Sequence, residues 1–142
     1  MLENVVRAAT ARGHLIVAAV GNDGPAAPPL YPASYPDVVG VTGVDSQERV
    51  LMEACRGKQV DFAALGTDMD AAIPAKAYSP VRGTSFAAPI VAGLLAAQLR
   101  QPNKLAADQA LLTLTSQAID LGARGRDTVY GQGRVGALPA IK

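Results

Sequence analysis

Leu15-Ile16-Val17-Ala18-Ala19-Val20 runs straight into Gly21-Asn22-Asp23-Gly24. An unbroken apolar run, partly β-branched, suits a strand buried on both faces, as in a parallel sheet. The Gly-Asn-Asp-Gly string then ends the strand in a turn. Upstream, Leu2, Val5, Val6 and Ala9 recur at helical spacing over residues 2–12, and Gly13 supplies the stop. Downstream, five prolines between Pro25 and Pro36 exclude helix and central strand and predict a semi-rigid loop. Val38 to Val44 reads as a second buried strand and Val60 to Leu65 as a third. Asp70 to Arg82 holds two short extended pieces and reads as a hairpin. A long small-residue helix is expected from about Ser85 to Arg100, with Pro89 in its first turn or so. Pro102-Asn103 breaks it, a second helix follows from about Ala106 to Ala118, and the glycine-rich tail is largely irregular. This order predicts an α/β fold of three layers, a mostly parallel sheet with flanking helices. A first strand reached through a helix implies another strand beyond that helix. Nothing before Leu2 supplies one.

The 142 residues suit one compact domain. At 14.5 kDa, surface scaling predicts a folded area of roughly 6,900 Å². Thirteen basic and twelve acidic residues leave a formal charge of +1. That balance excludes a nucleic-acid footprint and a polybasic membrane patch. The longest uncharged apolar stretch, Phe86 to Leu99, is too short to span a bilayer. Met1 to Arg12 carries Glu3 and Arg7 and lacks a signal peptide's apolar run. Any export signal would lie outside the chain, and the compartment stays open. One cysteine, Cys55, excludes an internal disulfide and a cysteine-based zinc cluster, and one histidine, His14, leaves little for a His-dependent metal site.

The strongest local signal is Gly83-Thr84-Ser85-Phe86-Ala87-Ala88-Pro89. A serine opening a helix has its backbone N–H at the unpaired, positive end of the dipole. A nucleophile there has a ready donor for the oxyanion it creates. Gly83 would let substrate backbone approach. The plainer reading makes Thr84 or Ser85 an N-cap. Asn22 stands just past the C-terminal edge of a strand, where ligand chemistry gathers in open α/β sheets. Its side-chain N–H can serve an oxyanion. Its plainer reading is a turn residue.

Together these strings resemble the subtilisin-like serine peptidases, the subtilases. AAVGNDG (Ala18 to Gly24) is similar to the family's oxyanion-asparagine segment. YPASYPDVVGVTGVD (Tyr31 to Asp45) is similar to its substrate loop and following strand. DFAALG (Asp61 to Gly66) stands where the family has an Ala-Pro-Gly ending, with Leu65 in place of that proline. RGTSFAAPIVAG (Arg82 to Gly93) is similar to the serine motif, and YGQGRV (Tyr130 to Val135) to the C-terminal element. The resemblance implies a partial subtilisin-like fold and a serine endopeptidase acting through an acyl-enzyme. Ser85 would be the nucleophile, and Asn22 and the Ser85 N–H the oxyanion hole, with the Thr84 hydroxyl close by. Val20 and Gly21 would line the primary specificity pocket, Leu30 would narrow it, and Gly83 would lie against substrate. It makes Tyr31-Pro32 a candidate cis peptide. The implied partner is a peptide or protein substrate. No cofactor is implied beyond the calcium that the family often binds, and no cluster of oxygen ligands here is convincing.

A serine nucleophile needs a base and an orienting carboxylate. In this family they come from Asp-[Ser/Thr]-Gly and His-Gly-Thr motifs that precede the asparagine segment, and neither is in this chain. His14 lies at the wrong end of its strand. Asp23, Asp37, Asp61, Asp68 and Asp70 lack the motif context. The whole chain, 1–142, therefore reads as the C-terminal half of a subtilisin-like catalytic domain, inactive alone. Its alternative is a non-catalytic remnant serving binding or assembly. A sedolisin would place aspartate at Asn22, and an α/β-hydrolase would need a second glycine at Ala87. The open edge of the first strand predicts association with a missing N-terminal half or a second copy.

Overall fold

The structure is a computed structural model and describes residues 1–140. Helix α1 (Leu2–Ala11) ends at Gly13, whose φ of 87° suits only glycine with ease. Strands β1 (Ile16–Ala19), β2 (Val38–Val44) and β3 (Phe62–Leu65) form a parallel sheet in the order β1-β2-β3. Ile16 pairs with Val38, and Val41 with Phe62. Strands β4 (Met69–Ile73) and β5 (Ala77–Val81) make the expected hairpin, turning through Ala75 and Lys76 at positive φ. Helices α2 (Thr84–Ala96) and α3 (Lys104–Gln117) follow.

Period-2 alternation divides the sheet's side chains between two faces. On one face, Val39, Val41, Phe62 and Ala64 pack with Ala87, Val91 and Leu95 of α2 and Ala110 and Leu114 of α3. On the other, Val20, Ala33, Cys55 and Val60 close up with Ala18, Ala27 and Leu30. That second layer is built by the proline-rich loop and the segment before β3. Every residue of β2 is buried, because it is paired on both edges.

Several expectations change. β1 is half-buried at all four positions rather than buried on both faces, because it is paired on β2 alone. α2 stops at Ala96, short of Arg100. α3 starts two residues early because the Asn103 Oδ1 accepts the Ala106 N–H at 2.9 Å. Pro89 is the sixth residue of α2, in its second turn. Its missing N–H therefore removes the intrahelical bond to the Ser85 carbonyl. The tail is irregular yet tightly seated. The Ala63 N–H donates to the Gly133 carbonyl and the Val135 N–H to the Ala63 carbonyl, both at 2.9 Å, so the tail extends the sheet beyond β3. A Cβ on Gly131 would stand 2.3 Å from the Asp61 carbonyl oxygen, which is why the backbone can lie there only as glycine. The accessible surface is 8279 Å², well above the roughly 6,900 Å² of a closed domain this size.

Candidate active site

Two segments far apart in sequence meet at the C-terminal edge of the sheet. The first leaves β1, held for one more residue by the Val20 N–H on the Val41 carbonyl at 3.0 Å. Gly21, at φ 107°, then turns the chain and leaves Asn22 exposed. The second comes from β5. The Gly83 N–H donates to the Gly66 carbonyl at 2.8 Å, anchoring the start of α2 to the residue after β3.

The two segments are joined by one hydrogen bond. The Thr84 N–H donates to the Asn22 Oδ1 at 3.0 Å. Gly83 is the N-cap residue and has no side chain to cap with, so Asn22 caps α2 from elsewhere in the sequence. Neither Thr84 nor Ser85 is the N-cap, and Asn22 is more than a turn residue. A backbone N–H can bond only the carbonyl oxygen of the amide, which fixes the side chain's orientation and leaves its Nδ2 hydrogens to donate elsewhere. Gly83, at φ 143°, backs this contact; a Cβ there would lie 3.5 Å from the Asn22 Nδ2.

Ser85 is the second residue of α2 and is exposed. Its N–H lies in the first turn, where a helix offers no acceptor. Thr84 is fully buried, and its Oγ1 has no partner among the described residues. The geometry brings Ser85, Thr84, Gly83 and Asn22 together.

The residues expected to shape a pocket lie beside them. Val20 is wholly buried, side chain and backbone alike. Leu30 lies against Gly21: a Cβ on Gly21 would come 2.4 Å from Leu30 Cδ1 and 3.1 Å from Cys55 Sγ. The Tyr31-Pro32 peptide is cis.

His14 is not with them. It lines an apolar groove with Leu15, Val17, Leu95 and Leu99, at the far end of α2 from Ser85. Along the helix, from Ser85 to its last residue Ala96, that separation is roughly 16 Å. Two of the aspartates considered, Asp61 and Asp68, are occupied elsewhere. Asp61 accepts the Gly40 N–H at 2.8 Å and pairs with Arg126 at 2.8 Å. Burial still pushes its carboxyl up. Asp68 is held low, chiefly by the Ser46 N–H and then its hydroxyl. Asp127 accepts the N–H groups of Ala123, Val129 and Tyr130. Among the described residues, no group of three or more His, Cys, Asp or Glu is placed to hold a metal ion.

Sequence reasoning missed the segment from Leu51 to Cys55. The Cys55 N–H donates to the Gly21 carbonyl at 3.0 Å, and the Gly24 N–H to the Glu53 carbonyl at 2.9 Å. The Glu53 carboxylate grips Arg82 with two bonds of 2.7 and 2.9 Å. Only Arg82's place beside Gly83 could have pointed to it.

Comparison with known proteins agrees with this geometry. The chain is 34% identical to thermitase of Thermoactinomyces vulgaris over 144 residues, covering 99% of this chain and 49% of that protein. It is 34% identical to subtilisin BL of Lederbergia lenta over 142 residues, covering 99% and 51%. It is 32% identical to the minor extracellular protease Epr of Bacillus subtilis (strain 168) over 135 residues, covering 95% and 21%. The chain thus spans about half the length of these relatives, or less. Among solved structures, the prenylagaramide maturation protease PagA superposes with a TM-score of 0.80 at 26% identity, covering 95% of this chain and 52% of that one. The model of the Subtilase family matches residues 1–133. With a serine-bearing helix capped by an asparagine at the sheet's carboxyl edge, and with a family model that matches most of its length, the chain belongs to the subtilase family of serine peptidases.

Proposed function

We propose that this chain is the C-terminal half of a subtilisin-type endopeptidase domain, carrying the nucleophile and oxyanion groups of the reaction. The observation that carries this reading is Ser85, an exposed residue on the first turn of α2, next to an asparagine whose N–H donors have no partner among the described residues. Ser85 attacks the scissile carbonyl. The Asn22 Nδ2 and the Ser85 N–H hold the oxyanion, with the buried Thr84 hydroxyl beside them. The distance of His14 supports the further reading that the base and its orienting carboxylate come from an N-terminal half seated at the open edge of β1. The chemistry uses no cofactor.

Leu30, packed on Gly21, narrows the primary pocket. Substrates with a small side chain before the scissile bond are therefore favoured over aromatic ones. The same half-domain without turnover would be a binding or assembly module, and the lack of a histidine near Ser85 among the described residues favours that second reading for the chain alone.

The test joins this chain to a subtilisin-type N-terminal half bearing the Asp and His motifs and follows a chromogenic peptide. Turnover is expected from the joined protein, with none from the chain alone or from the joined Ser85→Ala variant. A folded joined protein without turnover, or turnover that survives Ser85→Ala, overturns the proposal.

A further inference from the structure

Among the described residues, the Asn22–Thr84 hydrogen bond is the only side-chain hydrogen bond between the two segments read as carrying the oxyanion groups, and a single half-buried bond is a soft joint. The segment Leu51 to Cys55 lies beside it and holds both sides. Its backbone takes the Asn22 turn at two points, through the Cys55 N–H on Gly21 and the Glu53 carbonyl on Gly24. Its one charged side chain takes the other segment, through the two-bond fork from Glu53 to Arg82. Arg82 is covalently next to Gly83, and Gly83 precedes the amide that Asn22 caps.

We propose that Glu53 is a positioning residue, a brace that sets the spacing between Asn22 and the first turn of α2. It touches no reacting atom. This rests on the reading of Asn22 and Ser85 given above, but its geometry can be measured without catalysis. The pair is a poor candidate for a stability device. The Arg82 and Glu53 side chains are 50% and 32% exposed, and ion pairs that wet contribute little to folding. A planar guanidinium gripping both carboxylate oxygens instead fixes direction as well as distance. The Glu53 carboxyl is held below its ordinary range, first by the Arg82 hydrogen bond, which fits a formed fork.

Amide hydrogen exchange on the folded chain tests the brace. In Glu53→Gln, the Thr84 N–H should exchange roughly fivefold faster or more, while the sheet amide of Val20 keeps its rate. The Asn22 side-chain NH₂ resonances should move as well. Arg82→Lys should reproduce the effect, because a lysine cannot fork, and the exchanged pair Glu53→Arg with Arg82→Glu should restore part of the protection. If Thr84 exchange is unchanged in both single variants, there is no brace. If Thr84 and Val20 accelerate together, Glu53 acts on global stability and the proposal also fails. Either result leaves the peptidase reading intact, since that reading stands or falls on turnover.

Discussion

Asn22 serves two ends with one amide group. Its oxygen holds the Thr84 N–H and its nitrogen remains a donor. The two roles separate by mutation. Asn22→Ala should lower unfolding free energy by about 1 kcal/mol, the usual effect of removing a cap. Asn22→Asp keeps the acceptor, adds negative charge at a helix N-terminus and should hold stability within about 0.5 kcal/mol, yet it removes the donor. In the joined protein, both variants should lose turnover while only the first loses stability; denaturant titration beside the peptide assay reads the difference. Glu53 gives a pH prediction. Its carboxyl is depressed in the fold, first by Arg82. Its contribution is therefore present above the ordinary glutamate value and is lost as pH falls through the depressed one. Facing Arg82, Asp45 and Asp68 also carry charge. Wild-type stability should fall more steeply than that of Glu53→Gln below about pH 4.5, by at most about 1 kcal/mol for so exposed a pair. The sequence singled out Ser85 and Asn22 as candidates through their local strings. It could not show that Asn22 caps Thr84 or that Glu53 meets Arg82, because those partners meet only when strand ends and helix start share one edge.

At the scale of elements, apolar runs and breakers were enough to read α1, the three parallel strands, the hairpin and the two helices. What escaped was set by neighbours. The run from Leu15 to Val20 is as apolar as a central strand, yet β1 lies half-buried because only β2 flanks it. The tail has no periodicity, yet its backbone bonds to β3. Its glycines are spacers for close backbone approach, a role that composition cannot show. Gly131→Ala should therefore destabilise by about 1–3 kcal/mol, as overpacking does, with thermal unfolding as the measure. α2 is the mechanical centre, since it covers the sheet while presenting Ser85. Leu95 is 2% exposed, and Leu95→Ala should cost about 2–5 kcal/mol, measurable in urea.

The whole molecule carries more surface than its mass requires. The excess over a closed domain is roughly 1,400 Å², larger than one side of a standard protein interface, roughly 800 Å². It includes a groove beside β1 lined by Leu15, Val17, Leu95 and Leu99, and exposed Leu2 and Val5 on α1. An edge strand next to such a face favours association. Mass from light scattering should rise with concentration for the chain alone and stay at one protein per particle once an N-terminal half is joined. A monomer at the highest soluble concentration would count against the open-edge reading.

The capping bond also changes what a surviving asparagine can testify to. A descendant that had abandoned catalysis would still be under pressure to keep Asn22, because losing it uncaps a helix. Ser85 has no such second employment: it is exposed, and Gly83 and Asn22 already begin the helix without it. Among the chains of this family, the serine is therefore the informative witness to activity, and the asparagine beside it is a witness to folding.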